Sequence, residues 1–147
     1  MRIIYLNIRL IAILFVLVVS SCNKEKEALL PFSLLSKNAR LTAHVWEFEK
    51  FLVNGVEDTS VTNIFDIYTL EFTKEGEVIL NISYQGTNIV FKGIWKFNDD
   101  KSQIGVKWEG DIEFDYARIV KLTGRQFWIE DTDENTGDKY ESHFVRV

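Results

Sequence analysis

The sequence predicts an all-β fold, an antiparallel up-and-down barrel of about eight strands. Three observations carry that prediction. From Trp46 onward apolar residues recur with a period of two, short polar turn signals interrupt them about every ten residues, and the single proline, Pro31, precedes the whole stretch. Every later residue is therefore free to pair. A chain of 147 residues is long enough for one core without disulfides, and 46% hydrophobic with 14% aromatic residues excludes a disordered chain. The net charge of −5 argues against a nucleic-acid partner, because phosphate binding draws on clusters of Lys and Arg.

The N-terminus reads as an address. Arg2 and Arg9 form a positive segment before an apolar run at residues 10–19, which as a helix would span about 15 Å, half of a bilayer core. It is a signal-peptide core and not a stable span. The run ends in Val19-Ser20-Ser21-Cys22, which resembles the lipobox of bacterial lipoproteins, with Cys22 as the lipidated residue. Cys22 is the only cysteine in the chain, so its acylation would leave no thiol for a disulfide, a nucleophile or a metal. Three acyl chains make such an anchor effectively permanent. The expected organisation is a signal peptide at 1–21, a lipidated tether and short helix at 22–39, and a barrel domain at 40–147. The tether begins Asn23-Lys24-Glu25-Lys26-Glu27. Its Lys24-Glu25 resembles the export signal of Bacteroidota-type surface lipoproteins, which places the protein on the outer membrane with the cell surface favoured over the periplasmic face.

Residues 28–40 carry Leu29, Leu30, Phe32, Leu34 and Leu35 around Pro31, a pattern suited to a short helix or turn that plugs one end of a barrel. The first strand holds Trp46 and Phe48, loses phase near Glu49 and Lys50, and meets Asn54-Gly55, a pair suited to a type I′ turn. Next come Tyr68, Leu70 and Phe72, then Val78, Leu80, Ile82 and Tyr84. The fourth strand has Ile89, Phe91, Trp95 and Phe97, with Gly93 marking a bend or a close approach. Ile104, Val106 and Trp108 follow, then Ile112, Phe114 and Tyr116, then Phe127 and Ile129, and finally Tyr140 and Phe144. These residues are expected to face inward. The opposite phase includes Lys92, Lys96, Lys107, Glu109, Glu113, Asp115, Lys121 and Glu141, so the outer wall is wet and a membrane-spanning barrel is disfavoured.

With Trp46, Asn54-Gly55, Gly93-Ile94-Trp95, residues 119–122 and residues 140–144 laid out, the chain resembles the lipocalin-like domain of small Bacteroidota lipoproteins. That resemblance implies a lipocalin-like β-barrel, and its features belong to a scaffold and not to an active site. In true lipocalins the Gly-X-Trp signature lies on the first strand, whereas Gly93-Ile94-Trp95 lies on the fourth.

Catalytic signatures are absent: there is no Gly-X-Ser-X-Gly, phosphate loop or dinucleotide fingerprint. His44 and His143 are the only imidazoles, and neither has a ligand at metal spacing, so both are expected at the surface beside strands. Asp111, Glu113 and Asp115 alternate along one face that the phase assigns to solvent. The acidic loop 131–138 offers oxygen ligands for Ca²⁺ but has Thr136 where an EF-hand needs Gly, and it reads as an acidic turn. The expected function is a non-enzymatic, lipid-anchored module without cofactor or metal that binds a small apolar ligand, with Trp95, Trp108, Phe114 and Tyr116 as its lining. The aromatic content also fits a barrel filled by its own side chains. The alternative is therefore a solid barrel that docks to another envelope protein through Phe51, Phe65 and Trp128.

Overall fold

The computed structural model describes residues 35–147. The signal segment 1–21, Cys22 and the tether through residue 34 lie outside the described residues. Ser36 opens the described chain as a helix cap, its Oγ accepting from the Ala39 N–H at 3.2 Å. This cap starts the one-turn helix α1 (Lys37–Leu41). Leu41 is completely buried, which is worth about 2 kcal/mol over leaving it in water. Its carbonyl accepts from Trp46 Nε1 at 2.8 Å, so the helix and the first strand are fastened at one end of the barrel. Arg40 adds a tie by donating to the Leu122 carbonyl at 2.9 Å. The expected helix at the end of the barrel is therefore present over Lys37–Leu41, and residues 28–34 of the stretch that suggested it lie outside the described residues.

Nine strands follow: β1 (Val45–Val53), β2 (Val56–Glu57), β3 (Ile67–Phe72), β4 (Glu77–Tyr84), β5 (Thr87–Phe97), β6 (Gln103–Trp108), β7 (Asp115–Leu122), β8 (Gln126–Thr132) and β9 (Lys139–Arg146). Antiparallel neighbours run in chain order from β3 to β9, and β1 pairs with both β3 and β9. Eight strands thus close on themselves, while β2 only extends the tip of β1. Closure removes the free edges an open sheet would expose. The β1–β2 hairpin turns at Asn54-Gly55, with φ of 51° and 80°, the left-handed pair that a type I′ turn requires.

The pairs that face inward trace the core around the barrel: Trp46 opposite Leu70, Phe72 opposite Val78, Leu80 opposite Phe91, Trp95 opposite Val106, and Leu122 opposite Phe127. Phe127 and Phe144, themselves paired, complete the circuit. The rings pack edge to face at the plugged end, with Phe72 at 83° to Trp95 and at 88° to Phe127, the arrangement ring quadrupoles favour. Gly93 sits where the strand β6 backbone crowds in: a Cβ there would lie 2.5 Å from the Lys107 carbonyl oxygen. The close approach expected at this glycine is real.

Two local irregularities reset the phase. The register of β1 against β9 shifts between Phe48 and Lys50, where the sequence pattern loses its phase, and this bulge swings Phe51 to the inside. Phe51 stacks on Tyr140 at 6.0 Å. A second shift, between Ile119 and Lys121 on β7, keeps Leu122 inside and Lys121 outside. The strand expected from Ile112 through Tyr116 starts only at Asp115, as β7. Gly110 takes φ 102°, residues 111–114 are loop, and pairing resumes only at Asp115. Val106 faces Asp115 and Gly105 faces Tyr116, so Asp115 points inward and Tyr116 outward, the reverse of the phase read from the sequence.

Candidate ligand cavity inside the barrel

Above the aromatic floor the barrel holds a cavity of about 230 Å³ that is open to solvent at one end. Phe72, Phe127 and Phe144 form its base, Leu70, Ile104, Val106 and Ile129 its wall, and Trp108 its upper side. The volume is below the roughly 300–1,000 Å³ of pockets that enclose drug-sized ligands, so an occupant must be compact. Polar groups enter the lining only toward the open end, as Tyr68, Asp115, Asp131 and Ser142. Burial pushes the Tyr68 hydroxyl up from its ordinary pKa, so it stays neutral and available as a donor across the physiological range. A broader depression of about 350 Å³ lies across β4, β5 and β6 at Gly93, with Glu77, Lys92, Lys107 and Glu109 around it. Its mixed charges suit solvent better than an apolar molecule.

The rim is uneven because the strands end at different heights. Residues 87–92 of β5 pair with β4 alone, since β6 begins to pair only at Gly93. The inward-facing Ile89 and Phe91 at this step are 44% and 45% exposed. On the opposite flank a short helix, α2 (Thr59–Thr62), fills the space that β3 leaves beside β1. Its Thr62 Oγ1 accepts from the Phe51 N–H at 3.2 Å.

The four aromatic residues named as lining are divided by the structure. Trp108 borders the cavity. Trp95 belongs to the packed core, 8% exposed, with Nε1 donating to the Thr73 carbonyl at 3.0 Å. Phe114 lies under the Lys96 ammonium, 4.1 Å from its ring centroid. Tyr116 touches the cavity's edge, but its ring covers Gly105 on the outer face, where a Cβ would come within 2.6 Å of it. Among the lining residues that the sequence reading missed are the two carboxylates, Asp115 and Asp131. A strand phase broken at Gly110 hides the first, and the acidic loop that follows hides the second.

Phe51, Phe65 and Trp128 do not form one outer patch. Phe51 is turned inward, and Phe65 packs on Tyr68 at 5.4 Å. Trp128 is on the outer face, stacked on His143 at 4.0 Å with Lys121 above it. His143 is consequently not the surface residue expected: it is 4% exposed and bonded through Nε2 to the Glu141 carboxylate. In the loop at 131–138 the carboxylates serve the turn, Asp133 accepting from the Asn135 and Thr136 N–H groups and Asp138 from Asn54 Nδ2. Among the described residues no three His, Cys, Asp or Glu side chains converge as a metal site would need.

The closed up-and-down meander of eight strands is the architecture that lipocalins share. No protein-family model matches the chain, and no curated protein matches it. Among solved structures, bovine odorant-binding protein in complex with a selenium-containing odorant is 16% identical, with a TM-score of 0.45 over 80% of this chain and 77% of that one. A deswapped triple mutant of bovine odorant-binding protein is 19% identical, with a TM-score of 0.40 over 74% of each chain. The architecture assigned to this chain rests on its own strand register.

Proposed function

We propose that this protein is a lipid-anchored, non-enzymatic binding module of the bacterial envelope that holds one small apolar molecule inside its barrel. The observation that carries the binding half is the cavity of about 230 Å³, apolar along its depth and polar only toward its mouth. Such a distribution gives affinity through burial and orientation through a few polar groups. The anchoring half is supported by Val19-Ser20-Ser21-Cys22 after an apolar run too short to span a bilayer, and Lys24-Glu25 favours the cell surface. The domain boundaries at 21/22 and 39/40 belong to the same reading.

Titration of the purified full chain with an apolar fluorophore, together with native mass spectrometry, tests the binding half. Saturable uptake at one site per chain is expected, and a chain that takes up nothing in either experiment overturns the reading. Metabolic labelling with an alkynyl fatty acid tests the anchor: wild type is labelled and Cys22→Ala is not. Equal labelling of the two would refute lipidation at Cys22. Protease shaving of intact cells separates surface display from a periplasmic location.

A further inference from the structure

The charged residues that line the cavity, Asp115 and Asp131, are of one sign only. Side-chain phase puts two carboxylates on the inner side of the sheet at the open end, Asp115 level with Val106 and Asp131 level with Tyr140, both exposed and both bordering the cavity. Glu130 pairs with Arg118, so Asp131 stands one step further along, level with Ala117 and diagonal to Asp115. Diagonal neighbours on one sheet face lie about 7–8 Å apart, which allows one cationic group to sit between the two carboxylates.

No basic side chain of the described residues answers them. Arg118 and Lys139 are engaged with Glu130 on the outer face, at 2.9 and 3.6 Å. Lys96 and Lys121 lie over the Phe114 and Trp128 rings outside the wall. Asp131 Oδ1 accepts from the Thr132 N–H at 2.7 Å, which holds the carboxylate in place and leaves its other oxygen for a ligand. Trp108 and Tyr68 also border the cavity, and aromatic rings attract cations. A fatty acid or other carboxylate would instead bring a like charge to the mouth and be repelled.

We propose that the occupant is a compact amphipathic cation, a molecule with a small apolar body seated among Leu70, Ile104 and Phe144 and a protonated amine held by Asp115 and Asp131. This inference rests on the interior being the binding site. The apolar floor selects the body and the two carboxylates select the charge, so neither feature alone defines the ligand.

Three probes of nearly equal size separate the possibilities: benzylamine, benzyl alcohol and benzoate, each titrated calorimetrically against the purified full chain at pH 7. Benzylamine is expected to bind at least tenfold more tightly than benzyl alcohol, with benzoate weakest. The amine's advantage should shrink at high salt, as screening of a partly exposed charge pair requires. In the double variant Asp115→Asn with Asp131→Asn the amine should fall to the affinity of the alcohol, whose own affinity stays within about twofold. Near-UV circular dichroism reports whether that variant keeps its packing, and the comparison in wild type stands without it. Equal affinity for amine and alcohol in wild type overturns the charge selection while leaving the binding cavity intact. Failure of all three probes and of the apolar fluorophore overturns both.

Discussion

Truncating Phe127 to alanine should destabilise the barrel by about 4 kcal/mol, whereas the same change at Phe114 should cost less than about 1 kcal/mol. Sequence phase alone puts both rings inside. Phe127 is fully buried, with the Trp46, Phe72 and Phe144 centroids at 5.6, 5.8 and 5.8 Å. Core Phe→Ala changes cost about 3–5 kcal/mol. This one belongs in the upper half, because each lost ring pair adds about 0.5–1.5 kcal/mol and the space left behind opens into the cavity that Phe127 already borders. Phe114 touches Tyr116 at 6.2 Å and the Lys96 ammonium at 4.1 Å, contacts worth about 0.5–1 kcal/mol at a partly exposed site. Urea unfolding followed by tryptophan fluorescence measures both. With a slope of about 2 kcal/mol per molar, the midpoint falls by about 2 M for Phe127→Ala and by less than about 0.5 M for Phe114→Ala. Equal shifts for the two variants would refute the register that puts Phe114 outside the wall.

Gly93→Ala should cost about 2 kcal/mol, because its Cβ meets the Lys107 carbonyl oxygen at 2.5 Å and Trp108 Cα at 3.0 Å, and backbone cannot swing aside. Gly105→Ala meets only the Tyr116 ring, which can rotate away, so thermal melts should show the smaller loss at Gly105; the reverse order would contradict the close approach of β5 and β6. Acid should destabilise the fold through its paired carboxylates. The hydrogen bond from Arg118, aided by its charge and that of Lys139, holds Glu130 below the usual carboxylate range. Hydrogen bonds from Ser60 and Ser102 do the same for Asp58 and Asp100, and one from Asn54 for Asp138. A depressed folded value means that the stabilisation is fully present above the unfolded pKa and is lost as the pH falls through the folded one. Melting temperature should therefore drop as the pH is lowered below the ordinary carboxylate range. Glu130→Gln should flatten that decline, and an unchanged pH profile in this variant would remove Glu130 from the account.

Much of this architecture is written locally. Strand existence, the hairpin at Asn54-Gly55, the tight passage at Gly93 and the end plug all follow from residues whose own conformational preferences or spacing demand them. Asn and Gly accept the left-handed backbone of a I′ turn whatever surrounds them, and an apolar alternation from Val78 to Ile82 can bury one face only as a strand. Which face each residue finally occupies is a different kind of property. A bulge adds one residue opposite a partner strand, so the inversion of Phe51 beyond Phe48 exists only in the pairing of β1 with β9. At Asp115 the loop after Gly110 ends the alternation and β6 sets a new phase, which sends Tyr116 over Gly105 and turns an acidic residue into the barrel. An all-β chain, its turns and its stock of inward aromatics are legible in the residues alone. Only the pairing of β7 with β6 and β8 decided that Asp115 and Asp131 share a wall with no basic partner among the described residues, because the phase of each is set by its partner strand and no local periodicity records it.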